Sequence, residues 1–458
     1  MIALNRRYVF VGGAALLGLA GGVIVARKPS DAVLLCVCLV AILGLAMLGE
    51  RAFPWAIVIV SVAPWYPFIA EKAEPPIVRQ KVLCAAVAAA PLVPWLWSLA
   101  VRGRRTRPSR ATLLMGLLFA GFAILIYSSL GSISDLIEAE IVGFLFLGVT
   151  FLCARRFGGD NRWLAAAFGG LLVLALLGLY AYLKAPSNRV GYFVGYPITY
   201  GALVVGLLPA GLLFAYHRSR LLAAAVAGAG AALLILSESR SSWIAVVVLI
   251  MVAALLQARA GNMRGLGAIV AVLVLLVALI LGTGSLHHIV EQRLNPNVAT
   301  SESVTHREWS YGFALKAIGE KPFFGAGAPG YSGREAANKT SIGAIDNGYL
   351  SISVDMGLIG LLAALIPIAV GLWVLGRCLR LGVTPRYELA LALGILGMAV
   401  VTIFYDSFYW PQIDLVLAAM GGVLSTRVAG ITKPAAEPDV VRQGAIKQRG
   451  MPAVRLAP

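Results

Sequence analysis

Between Thr305 and Gly357 the chain leaves a long series of apolar runs for a polar passage that holds most of the residues able to do chemistry. His306 and Arg307 offer positive charge and N–H donors, and Asp346, followed by Asn347 and Tyr349, places a carboxylate where hydrophobicity resumes. Two further arginines stand beside apolar runs: Arg189 in Asn188-Arg189-Val190-Gly191-Tyr192-Phe193, and Arg240 in Ser237-Glu238-Ser239-Arg240-Ser241-Ser242. Arginine forks suit a phosphate or pyrophosphate, and a carboxylate can take a proton from a hydroxyl. Each residue also has an ordinary use. Arg189 can snorkel to a membrane surface, Arg240 can pair with Glu238, and Asp346 can cap a helix.

The local pattern predicts how some of these groups are held. Thr305 and Glu308 have the spacing of a capping box, with Val304 and Trp309 as a hydrophobic staple, so a helix is expected to start there. Trp309, Phe313, Ala317 and Ile318 would form its apolar face, and Gly319 with Lys321-Pro322 would end it. That start puts His306 and Arg307 in a first turn, where free N–H groups and the helix dipole favour an anion.

Other patterns carry less. Gly325, Gly327 and Gly330 match a dinucleotide fingerprint in spacing only, since no strand or βαβ unit surrounds them; a tight turn is expected. His287-His288 lacks matching ligands at helical spacing, so no metal site is expected. Tyr405-Asp406-Ser407-Phe408-Tyr409-Trp410 suits an interfacial belt or stacking on sugar.

The elements that must position these residues are membrane helices. With 60% hydrophobic residues, 13% charged and a mean hydropathy of +0.86, the chain lies far from soluble composition. Runs of span length recur without period-two alternation, so an all-α polytopic bundle of about fourteen spans is expected, from 8–26 to 413–427, with one large extracytoplasmic loop. The net charge of +17 sorts by side: Arg102 to Arg107, Arg155-Arg156, Arg218, Arg220, Arg377 to Arg380 and the C-terminal segment all fall on one face. This is the positive-inside signal rather than a nucleic-acid footprint, and it places both termini in the cytoplasm. The five cysteines, Cys36, Cys38, Cys84, Cys153 and Cys378, fall in spans or at a cytoplasmic edge and imply no disulfide framework. Three regions are expected: an N-terminal bundle over 1–183, a site-bearing region over 184–427 that includes the loop 284–349, and a disordered basic tail over 428–458.

Taken in order, Arg189 with Gly191-Tyr192-Phe193, Ser237 to Ser242 with Arg240, Arg307-Glu308-Trp309 leading to Lys321-Pro322-Phe323-Phe324-Gly325, and Asp346-Asn347-Gly348-Tyr349-Leu350 with Gly357-Leu358-Ile359-Gly360 resemble the O-antigen ligase and Wzy-type polymerase superfamily of bacterial envelope enzymes. The likeness covers roughly 185–365. It implies a fold resembling C-type membrane glycosyltransferases, an active site on the periplasmic face of the inner membrane, and an undecaprenyl-pyrophosphate-linked oligosaccharide as donor. It implies no required metal and no cofactor. Other polysaccharide assembly proteins are candidate partners. Arg189, Arg240 and Arg307 match the family's arginines and would bind pyrophosphate, with His306, Asn347 and Tyr349 beside them. Where ligases of the family show His-Asn, this chain has Asp346-Asn347, so the expected base is a carboxylate. That departure favours a polymerase extending lipid-linked repeat units over a ligase acting on lipid A core or protein. A flippase of the same lipid-linked glycans is the third reading; no internal repeat and no Walker pattern support it.

Overall fold

A computed structural model describes residues 52–64, 142–157, 162–185, 189–263, 301–325 and 345–431, together with 267, 270 and 274. The described residues are helical with short connections and contain no strand. The helices are α1 (Phe53–Val62), α2 (Val142–Phe157), α3 (Arg162–Lys184), α4 (Pro197–Arg218), α5 (Arg220–Leu236), α6 (Arg240–Arg259), α7 (Ser301–Glu320), α8 (Gly348–Leu381), α9 (Arg386–Ile403) and α10 (Pro411–Arg427).

Among these, α3, α4, α6, α8, α9 and the stretch Pro411–Gly430 are long and apolar enough to cross a membrane. Each coincides with an expected span to within a few residues, because an apolar run with polar ends is a strong signal. The expected span at 221–237 is α5, an apolar helix shorter than those six. The other expected spans lie wholly or partly outside the described residues, as do the His287-His288 pair, the glycine turn beyond Gly325, and Cys36, Cys38 and Cys84. The chain stays folded past 428: Val428–Gly430 forms a 3-10 turn, and Val428 and Ile431 are buried.

Helices α4, α9 and α10 form the centre. Helix α4 packs against α3, α5, α6 and α9, while α10 packs against α1, α2, α8 and α9. Lipid tails are as apolar as leucine, so close packing rather than water exclusion holds such a bundle, and small residues let backbones approach. A Cβ added at Gly394 of α9 would collide with the carbonyl oxygen of Gly206 in α4. On the outside, Leu176, Leu183, Val247, Leu362 and Trp373 are exposed, a face fit for lipid.

Helix α8 is broken. Gly357 has φ +65 and ψ −164 within it, a conformation open essentially to glycine alone. The break frees backbone donors, and the turn after α7 takes them: Leu358 N–H donates to the Pro322 carbonyl (2.8 Å) and Ile359 N–H to that of Phe323 (3.3 Å). Gly325, at φ +70, sits so close to Asp355 and Met356 that a Cβ there would strike their backbone. Two glycines thus let the loop after α7 lock into a broken membrane helix. Such breaks persist in bilayers only where protein satisfies the freed groups.

The start of α8 is fixed by Asn347, not by Asp346. The Asn347 side-chain oxygen accepts from Tyr349 N–H and Leu350 N–H, both at 3.0 Å. Asn347→Ala is expected to cost about 1 kcal/mol, whereas Asn347→Asp, which keeps the acceptor, is expected to cost little. Thermal unfolding of the purified variants checks this.

Candidate active site

The candidate site residues gather at one end of the bundle, in two clusters joined by an aromatic stack. The first cluster is built on the tight turn between α5 and α6. Val190 N–H donates to the Leu236 carbonyl (3.1 Å), tying the loop after α3 to this turn. Arg189 donates through Nε and Nη2 to the Ser237 carbonyl (3.4 and 3.3 Å) and through Nη2 to the Glu238 carbonyl (3.3 Å). Its Nε also lies 3.9 Å from the Glu238 carboxylate. Glu238 therefore pairs with Arg189, a partner not evident from the sequence.

Arg240 is the first residue of α6. Ser239 caps that helix by accepting from Ser242 N–H, and its hydroxyl meets those of Ser241 (3.1 Å) and Ser242 (2.8 Å). The expectation of a cation in the first turn of a helix is met here and not at Arg307. Helix α7 runs from Ser301, so the backbone of Thr305 lies inside it rather than at its start. The upstream residues Ser301 and Glu302 continue the helix, and a Thr/Glu spacing alone does not stop a helix from extending. His306 and Arg307 lie in its second turn, beyond the short range of free N–H groups and dipole. The His306 side chain is outside the described residues.

The second cluster joins α7 to the start of α8. Arg307 Nε lies 3.6 Å from an Asp346 carboxylate oxygen, with the two side chains 38% and 39% exposed. More than a third of each side chain is thus exposed, although the Arg307 Nε atom facing Asp346 is itself buried. The Tyr311 hydroxyl, one turn along α7, donates to the Asp346 carbonyl (3.3 Å). The buried face of α7 is Ser310, Ala314 and Ala317, with Ile345 and Val354 packed on it. Trp309 and Phe313, expected on that face, lie at its edge and stack on each other, with ring centroids 5.7 Å apart. Tyr349 is turned inward: its hydroxyl donates to the Ala399 carbonyl (2.9 Å) and its ring meets Phe408 edge-on.

Tyr196 and Tyr405 connect the clusters. Arg189 lies over the Tyr196 ring (5.8 Å), Tyr196 stacks on Tyr405 (6.0 Å, 12°), and Tyr405 stacks on Trp410 (6.4 Å, 14°). The Tyr405 carbonyl accepts from Gly348 N–H (3.0 Å), next to Asp346 and Asn347. Burial, foremost, pushes the Tyr405 hydroxyl well above its ordinary pKa, and the nearby Tyr196, Asp406 and Asp346 add to this against a lowering hydrogen bond with Thr199. Tyr405 thus keeps its proton. Tyr405 and Trp410 are buried, so the loop expected to stack on sugar supplies an internal pillar, and Tyr196 is its exposed end.

Several participants escaped the sequence reading. Ser351 donates to Asp406 (2.9 Å), tying α8 to the 404–410 loop, and Gln412 donates to the Val194 carbonyl (2.8 Å), tying α10 to the Arg189 loop. Asp355 and Asp414 are 6% and 3% exposed within span-type helices. An acid inside an apolar run was the available signal. Among the described residues no cluster of three or more His, Cys, Asp or Glu is placed to hold a metal ion. A cavity of about 790 Å³ lies at the opposite end of the bundle, beside the Arg427–Glu388 ion pair (3.3 Å), and none of the site residues lines it.

This fold and site define a polytopic helical membrane protein with cationic and carboxylate groups collected at one end of its bundle. Residues 223–365, under a third of the chain, match the family model Wzy_C, described as O-Antigen ligase. The match supports the O-antigen ligase/Wzy superfamily, and with it a glycan-transfer role in polysaccharide assembly. Arg240, Arg307, Asp346, Asn347 and Tyr349 lie inside the matched region, and Arg189 precedes it. No curated protein matches the chain.

Proposed function

We propose that the protein is a polysaccharide polymerase. It would move a growing glycan from an undecaprenyl-pyrophosphate carrier onto a hydroxyl of the next lipid-linked repeat unit, at the periplasmic face of the inner membrane. The observation that carries the proposal is the Arg307–Asp346 pair, which joins residues far apart in the chain within the matched region. In the reaction the acceptor oxygen attacks the anomeric carbon of the donor as the bond from that carbon to the pyrophosphate oxygen breaks. The leaving pyrophosphate keeps the electron pair, and the hydroxyl proton passes to Asp346. Arginines aimed at the leaving group stabilise the charge that develops there. Guanidinium offers five N–H donors, so Arg307 can hold Asp346 and a phosphate oxygen together.

A ligase acting on lipid A core or protein shares this chemistry and differs in the acceptor. The carboxylate at 346, where ligases resembling this chain show histidine, favours the polymerase. Purified protein given lipid-linked repeats alone is expected to build a ladder of lengthening chains, read on a gel. No product until a second acceptor is added would make it a ligase. Proteoliposomes that translocate labelled lipid-linked glycan without extending it would make it a flippase.

A further inference from the structure

We infer that Glu238 is a built-in counter-ion that competes with the donor's pyrophosphate for Arg189 and so sets the affinity of that part of the site. The inference rests on the reading of Arg189 as a pyrophosphate ligand. Among the described residues Glu238 is the only non-glycine with positive φ, at +51. Glycine or asparagine adopts that left-handed conformation at less cost than glutamate. The turn that this conformation makes brings the carbonyls of Ser237 and Glu238 to Arg189, and the carboxylate stands 3.9 Å from the same guanidinium.

The two carbonyls and the Tyr196 ring already orient Arg189, so the carboxylate adds charge compensation more than position. Both side chains are about four-fifths buried, at 21% and 18% exposed, where water screens the pairing only partly. An arriving pyrophosphate must therefore displace the carboxylate or share the fork with it. Glu238 acts only through Arg189 and is not itself a catalytic residue.

The test is binding of inorganic pyrophosphate by the full-length protein in nanodiscs of neutral lipid, by calorimetry, for wild type, Glu238→Gln, Arg189→Ala and the double variant. Glu238→Gln is expected to tighten binding about fivefold and to lower KM for the donor with kcat little changed. The gain should vanish in the Arg189→Ala background. Glu238→Gly, which removes the carboxylate and suits the left-handed backbone, is expected to tighten binding likewise and guards against misfolding of the glutamine variant. Unchanged or weaker binding in both Glu238 variants, or a gain that persists without Arg189, would overturn the inference. If instead Arg189→Ala and Arg307→Ala both bind like wild type, or wild type does not bind at all, the pyrophosphate reading of the arginines fails and takes this inference with it.

Discussion

Arg307→Ala is expected to slow glycan transfer by about 100- to 1,000-fold, the loss typical of removing one preorganised donor from a site of developing negative charge. The variant should still accumulate in the membrane at normal levels. The Arg307–Asp346 pair is more than a third exposed on both sides, and such pairs contribute about 1 kcal/mol or less to stability. Helix α7 keeps its packing through Ser310, Ala314 and Ala317, which the substitution does not touch. Activity and stability should therefore separate. Arg307→Lys retains the charge but loses the fork that can hold Asp346 and phosphate together, so it should recover only part of the rate. Rates of chain extension at matched protein level, set against melting curves, read both quantities. Full-length polymer made at normal rates by Arg307→Ala would remove Arg307 from the mechanism.

The second large effect belongs to a residue that touches no substrate. Gly357→Ala is expected to destabilise the protein by about 3 kcal/mol or more, since φ +65 with ψ −164 is closed to other residues and a Cβ would meet the backbone of Phe323 and Phe324. The damage should be directional. The hydrogen bonds from Leu358 and Ile359 to Pro322 and Phe323 are what seat the turn after α7 against the break in α8. Loosening them should release α7, and Arg307 with it, before the α4–α9–α10 core opens. Hydrogen exchange should then rise over 307–325 in the variant while the core helices keep their protection. Uniform loss of protection would show the break to be a general stability element, and unchanged protection would show that α8 can straighten there.

The spans were readable from sequence because burial in lipid demands long apolar runs, and α3, α4, α9 and α10 fall where those runs lie. The clustering of Arg189 with the Ser237–Glu238 turn, and of Arg307 with Asp346, was not readable from spacing. Both pairings are long-range and depend on how α4, α8 and α9 pack. The cation expected in the first turn of α7 is found instead in the first turn of α6, because a Thr/Glu spacing is compatible with a helix interior, whereas Ser239 caps its helix. The break at Gly357 had a visible sign in its glycine, but only its partner turn explains why a span would break there. The aromatic pillar of Tyr196, Tyr405 and Trp410 joins residues about two hundred positions apart, and single-sequence periodicity has no means of pairing them.

The most direct test of the central claim is photo-crosslinking with a polyprenyl-pyrophosphate analogue that carries a photoreactive group next to the pyrophosphate. If the two clusters form one pyrophosphate site, labelled peptides come from both 189–196 and 305–311, and Arg240→Ala or Arg307→Ala depresses the labelling of both. Labelling confined to one cluster, or centred on Glu388 and Arg427 at the opposite end of the bundle, would contradict it.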